Sequence, residues 1–131
     1  MEANRNRKRD SSSPEPAAPA RFSRLIEGDF HQRIAATPGN AAVLFSAPNC
    51  GACRAWKQLL PGALAGVADA LYEVDVSEAT GVARYYGIFH LPTIYLYREG
   101  QFHAELQCAA KAGAVREMTA RLLSEAAREE P

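Results

Sequence analysis

Cys50 and Cys53, in the run Cys50-Gly51-Ala52-Cys53, are the residues of this chain whose type and spacing best suit chemistry. One helical turn apart, two such sulfurs can close into a disulfide or share a metal ion. Their setting bears on the choice. Ala41-Ala42-Val43-Leu44-Phe45 is a short, continuously apolar run, the pattern of a strand buried on both faces. Ser46-Ala47-Pro48-Asn49 is a turn, and a helical pattern starts at Gly51. Cys50 thus falls where a buried strand gives way to a helix. The first N–H groups of a helix lack intrahelical partners, and its dipole places partial positive charge there. A thiolate is stabilised at that point, so the Cys50 pKa is expected below its free value of about 8.5. Cys50 would attack a substrate disulfide to form a mixed disulfide, and Cys53 would resolve it by attacking the Cys50 sulfur. Two alternatives stay open. One is half of a zinc site, but His31, His90, His103 and Cys108 show no paired ligand spacing to complete it, so no metal is expected. The other is a pair of packed, inert cysteines.

The elements that must position this pair fit into one compact domain. The chain has 131 residues, and its 47% apolar content is enough for a core. A net charge of zero gives no reason to expect nucleic acid as a partner. No apolar run is long enough to span a bilayer, and the basic start MEANRNRKRD has no apolar segment behind it, so the sequence reads as cytoplasmic and without membrane attachment. Three cysteines are too few for a disulfide-stapled scaffold. Residues 1–20, with Arg5, Arg7, Lys8 and Arg9, then Ser-Ser-Ser and Pro14, Pro16 and Pro19, have the composition of a disordered tail. The domain then occupies 21–131.

Within that domain the pattern alternates. A short edge strand is expected over 21–26, a helix over 29–36, and the apolar strand over 41–45. The cysteine helix is expected over 51–60, ended by Pro61-Gly62. A strand over 71–76 follows, then a helix over 78–86 closed by Gly87. Thr93–Tyr97 and Phe102–Leu106 flank Arg98-Glu99-Gly100-Gln101 as a β-hairpin. The last helix, 114 to about 128, lines Val115, Met118, Leu122 and Ala126 on one stripe, with Glu117 and Arg121 an outward ion pair. The order β-α-β-α-β-α-β-β-α implies an α/β fold, a mixed central sheet with helices on both faces.

These landmarks carry a family resemblance. Phe45-Ser46-Ala47-Pro48-Asn49-Cys50-Gly51-Ala52-Cys53, Val74-Asp75-Val76, Tyr86-Gly87-Ile88, Leu91-Pro92-Thr93 and Gly100, in that order, resemble the thioredoxin superfamily from about residue 21 onward. The pattern is most similar to protein disulfide isomerase domains and the transmembrane thioredoxin-related proteins. The resemblance implies a thioredoxin-like fold and thiol–disulfide oxidoreduction with protein thiols and disulfides as partners. It needs no cofactor beyond an electron donor such as a thioredoxin reductase or a thiol pool. It also implies that Pro92 is a cis-proline opposite the cysteines, and that Leu91 offers its backbone to an extended substrate segment. The chain is expected to act as a monomer.

The sequence departs from the family at four points. Leu44 stands where the family usually has a buried acid that accepts the proton of the second cysteine. Asn49 replaces the common Trp, Gly51-Ala52 is an unusual intervening pair, and Gln58 replaces a kinking proline. Leu44 and Asn49 motivate a second reading, a thioredoxin-fold binding or chaperone module with vestigial redox activity. Two further residues are candidate modulators. His90 is either a cation beside the Cys50 thiolate or a solvent-facing loop histidine. Cys108 is either a third reactive thiol or a small buried residue.

Overall fold

The computed structural model describes residues 20–131. The tail expected over 1–20 therefore lies, Ala20 apart, outside the described residues. Nine elements follow in the expected order: β1 (Phe22–Arg24), α1 (Phe30–Ala35), β2 (Asn40–Ser46), α2 (Gly51–Ala63), β3 (Ala70–Asp75), α3 (Thr80–Tyr86), β4 (Thr93–Arg98), β5 (Gln101–Glu105) and α4 (Ala112–Ser124). The five strands form one mixed sheet in the order β1-β3-β2-β4-β5. β1 and β2 run parallel to β3, while β4 runs antiparallel to both β2 and β5. β2 is the central strand, and Ala41 to Ser46 are all buried, which explains its unbroken apolar run.

Alternation along β2 divides the core in two. Val43 and Phe45 face a cluster with Phe30 and Ile34 of α1 and Val82 and Tyr86 of α3. Ala42 and Leu44 face the other way, onto Leu60 and Leu64 at the end of α2 and Val115 and Leu122 of α4. The sheet is thus sandwiched between α1 and α3 on one face and α2 and α4 on the other.

Three local expectations are corrected. α2 does not stop before Pro61 but runs to Ala63 with the proline inside it. Pro61 cannot donate to the carbonyl of Lys57, yet burial of Leu60, Ala63 and Leu64 keeps the chain helical, so packing overrides propensity. α4 ends at Ser124, leaving Ala126 exposed beyond it. Arg121 pairs with Glu125 at 3.7 Å, not with Glu117. The hairpin turn does depend on its glycine: Gly100 has φ +80°, and a Cβ there would lie 2.6 Å from the Ala35 carbonyl oxygen.

Candidate active site

The central strand aims the cysteines. β2 ends at Ser46, and four residues later the chain reaches Cys50, the N-cap of α2. Asn49 makes the entry turn in a left-handed conformation, φ +67°, which asparagine tolerates better than most residues and a large aromatic would not. Cys50 and Cys53 are joined as a disulfide, with their Cα atoms 5.2 Å apart. The Cys53 N–H donates to Cys50 Sγ at 3.2 Å, so the Cys50 sulfur caps the helix. The two sulfurs are not equivalent to a visitor. Cys53 is only 3% exposed, whereas Cys50 is half-buried at the surface. A macromolecule can therefore reach Cys50 and not Cys53.

Strand register brings the other candidates to the same edge of the sheet. Phe45 pairs with Thr93, so the residues just before Thr93 lie beside those just after Phe45. The Leu91–Pro92 peptide is cis, and both residues are half-buried. His90 is exposed; the Thr93 hydroxyl donates to its carbonyl at 2.7 Å and sits 3.5 Å from its Nδ1. Cys108 follows β5, whose pairing with β4 also leads toward this edge. It is half-buried against the α2–α4 core, and burial pushes its thiol pKa up, which leaves it a poorer nucleophile than a free cysteine. Among the described residues no group of three or more His, Cys, Asp or Glu side chains is placed to hold a metal ion.

Leu44 is fully buried, and no acid occupies its place. A carboxylate stands next to it all the same. Leu44 pairs in register with Glu73 of β3, so the two side chains share the α2 face of the sheet. Glu73 is 9% exposed and accepts hydrogen bonds from Lys57 Nζ at 2.8 Å and Ser46 Oγ at 3.0 Å. Arg24 lies 3.7 Å from it. Lys57 is four residues after Cys53, on the same face of α2 one turn further in. Burial alone would raise the Glu73 pKa, but the hydrogen bonds from Lys57 and Ser46 and the charges of Lys57 and Arg24 outweigh it and hold the carboxyl below its usual value. Sequence reasoning missed this cluster. Its signal was a glutamate on the Leu71 side of an apolar strand together with a lysine one turn after Cys53.

The cluster makes stability acid-sensitive in a defined direction. A carboxyl whose pKa is lower in the folded than in the unfolded chain stabilises fully above its unfolded value, about 4.3, and less as pH falls through the folded value. Glu73→Gln is expected to cost about 1–2 kcal/mol at pH 7 and to flatten the loss of stability below about pH 5. Urea unfolding of both proteins at pH 7 and pH 4 measures this, and an equal loss in both would contradict the assignment.

Comparison with known proteins bears on the family and the fold. A sequence model of the thioredoxin family, described as Thioredoxin, matches residues 22–121. A search of curated proteins gives no match. Among solved structures, a point mutant of thioredoxin from Halobacterium salinarum superposes with a TM-score of 0.65 at 22% identity, over 79% of this chain and 92% of that one. The zinc-bound form of human ERp44 gives a TM-score of 0.65 at 17% identity, over 76% of this chain; the match spans 31% of the ERp44 chain. At such identities these structures speak for the fold. The family match covers most of the chain, from the first strand into the last helix, and on that ground the chain belongs to the thioredoxin family.

Proposed function

We propose that the chain is a protein thiol–disulfide oxidoreductase that works through the Cys50/Cys53 dithiol. The observation that carries this reading is the accessible Cys50 sulfur at the N-terminus of α2, with the buried Cys53 one turn behind it. In the reducing direction the Cys50 thiolate attacks one sulfur of a substrate disulfide. A Cys50–substrate disulfide forms, and the other substrate sulfur leaves as a thiolate that takes up a proton. Cys53, once deprotonated, attacks Cys50 Sγ; the second substrate thiolate leaves, and the pair closes as a disulfide. The substrate gains two electrons and the pair loses two. An external donor, a thioredoxin reductase or a thiol pool, returns them. Glu73, ionised and on the α2 face, is the carboxylate that supports removal of the Cys53 proton in place of the acid absent at Leu44. Leu91 and Pro92 hold the extended substrate segment against Cys50.

A second reading, a binding module with vestigial redox activity, draws on the fully buried Leu44 and on Asn49 at the site's rim. It requires a Cys50→Ser/Cys53→Ser protein to bind a client as well as the wild type does. Equilibration in glutathione buffers, with alkylation of free thiols, separates the two readings. The oxidoreductase reading expects one two-electron transition of the pair between about −120 and −270 mV, the less negative end marking an oxidase or isomerase and the more negative end a reductase. A pair that stays closed throughout that range would contradict it.

A further inference from the structure

Ser46 breaks the apolar run of β2 at its last position, yet it is only 5% exposed. A hydroxyl buried to that degree needs a partner, and this one donates to Glu73 Oε2 at 3.0 Å. The other carboxylate oxygen faces the cations: Lys57 Nζ lies 2.8 Å from Glu73 Oε1, and Arg24 lies 3.7 Å from the same atom. Asp75, in register with Ser46, is turned instead to the Ser77 hydroxyl at 2.6 Å and to Arg24 at 3.8 Å. The Ser46 hydroxyl is therefore the neutral, exchangeable group on Glu73. Its place along the sheet matters as much. Glu73 pairs with Leu44, whereas Ser46 stands further along β2, at the end that leads to the cysteines. Lys57 is on the far side, one helical turn beyond Cys53. Ser46 and the buried Cys53 thus share the layer between the sheet and α2, with Ser46 on the cysteine side of the carboxylate. Among the described residues no side chain donates to the Ser46 oxygen, so its lone pairs are open to a proton.

We infer that Ser46 carries the Cys53 proton to Glu73 when the mixed disulfide is resolved. The inference rests on the oxidoreductase reading and supplies a route to the carboxylate named there. The Cys53 S–H bond breaks as its proton passes to Ser46 Oγ, and the hydroxyl's own proton passes to Glu73 Oε2. The electron pair left on Cys53 Sγ attacks Cys50 Sγ. The Cys50–substrate bond breaks, and its electron pair leaves on the substrate sulfur. Glu73 then gives its proton to that thiolate or to solvent and is ionised again. Lys57 and Arg24 are positioning residues: they hold the carboxylate ionised, and so ready to accept a proton at neutral pH.

The test mixes reduced protein with a small aromatic disulfide that releases two coloured thiolates in turn. The first release reports attack by Cys50, and the second reports resolution by Cys53. Ser46→Ala is expected to slow the second release relative to the first by about a hundredfold at pH 7, the lower end of what a positioned proton acceptor contributes. The pH profile separates this role from a structural one. With Glu73 ionised throughout, the wild-type second release is expected to be nearly flat between about pH 6 and pH 8. In Ser46→Ala hydroxide must remove the proton, so the rate is expected to climb about tenfold per pH unit. Ser46→Thr keeps the hydroxyl and is expected to restore both the rate and the flat profile. Lys57 of α2, Arg24 of β1 and Asp75 of β3 are the charged groups around the relay, and all three remain in each Ser46 variant. Ser46→Ala and Ser46→Thr slowed alike, with the wild-type slope, would overturn the inference. So would an unchanged second release in Ser46→Ala beside a slowed one in Glu73→Gln, which keeps the carboxylate in its role but reached by another route. Glu73→Gln resolving as fast as the wild type would remove the carboxylate and the relay together. Absence of the first release would strike the oxidoreductase reading itself.

Discussion

Cys50→Ser is expected to lower insulin reduction in the presence of dithiothreitol to the uncatalysed background, a loss of about a thousandfold or more. Thiol–disulfide exchange needs a thiolate to attack and a sulfur to leave, and a serine hydroxyl does neither at neutral pH. The fold is not at risk in this variant. Cys50 caps α2 from the surface, and a serine oxygen can accept the same hydrogen bond from the Cys53 N–H. Cys108 is the alternative source of activity, and its raised pKa and half-burial argue against it. Retained activity in Cys50→Ser would shift the chemistry to that thiol.

The second large effect concerns Leu44→Asp. This change places an acid where the resemblance expects one, yet it is expected to destabilise the protein by about 3–5 kcal/mol at pH 7. Leu44 is fully buried and packs in the α2–α4 core, so its loss removes apolar contacts. The new carboxylate would sit in register beside Glu73, whose own carboxylate is already committed to Lys57 and Ser46. Two like charges on one buried face raise the pKa of the newcomer. A raised carboxyl pKa destabilises above the unfolded value, so the ionisation part of the penalty shrinks as pH falls through the folded value and vanishes below the unfolded one, while the loss of packing remains. Urea unfolding at pH 7 and pH 5 is expected to show a smaller deficit at pH 5. A variant as stable as the wild type, with faster insulin reduction, would show that Glu73 does not fill the role.

The sequence made much of the fold legible because β2 is buried on both faces and therefore reads as a continuous apolar run, and because Gly87 and Gly100 mark turns with positive φ. The cysteines were legible for a related reason: the strand-to-helix junction is encoded locally, within residues 41 to 53. What did not show was set by distant residues. Pro61 looks like a helix stop until Leu60 and Leu64 are seen to be buried beside it. Glu73 looks like a polar interruption in β3 until α2 lays Lys57 over it at 2.8 Å.

The mixed disulfide tests the central claim most directly. In Cys53→Ser the resolving thiol is gone, so a Cys50–substrate disulfide, once formed, persists. Mixing the reduced variant with insulin is expected to give an adduct that dithiothreitol removes, that maps to Cys50 by mass spectrometry, and that is absent from Cys50→Ser/Cys53→Ser. No adduct, or one that maps to Cys108, would contradict the account.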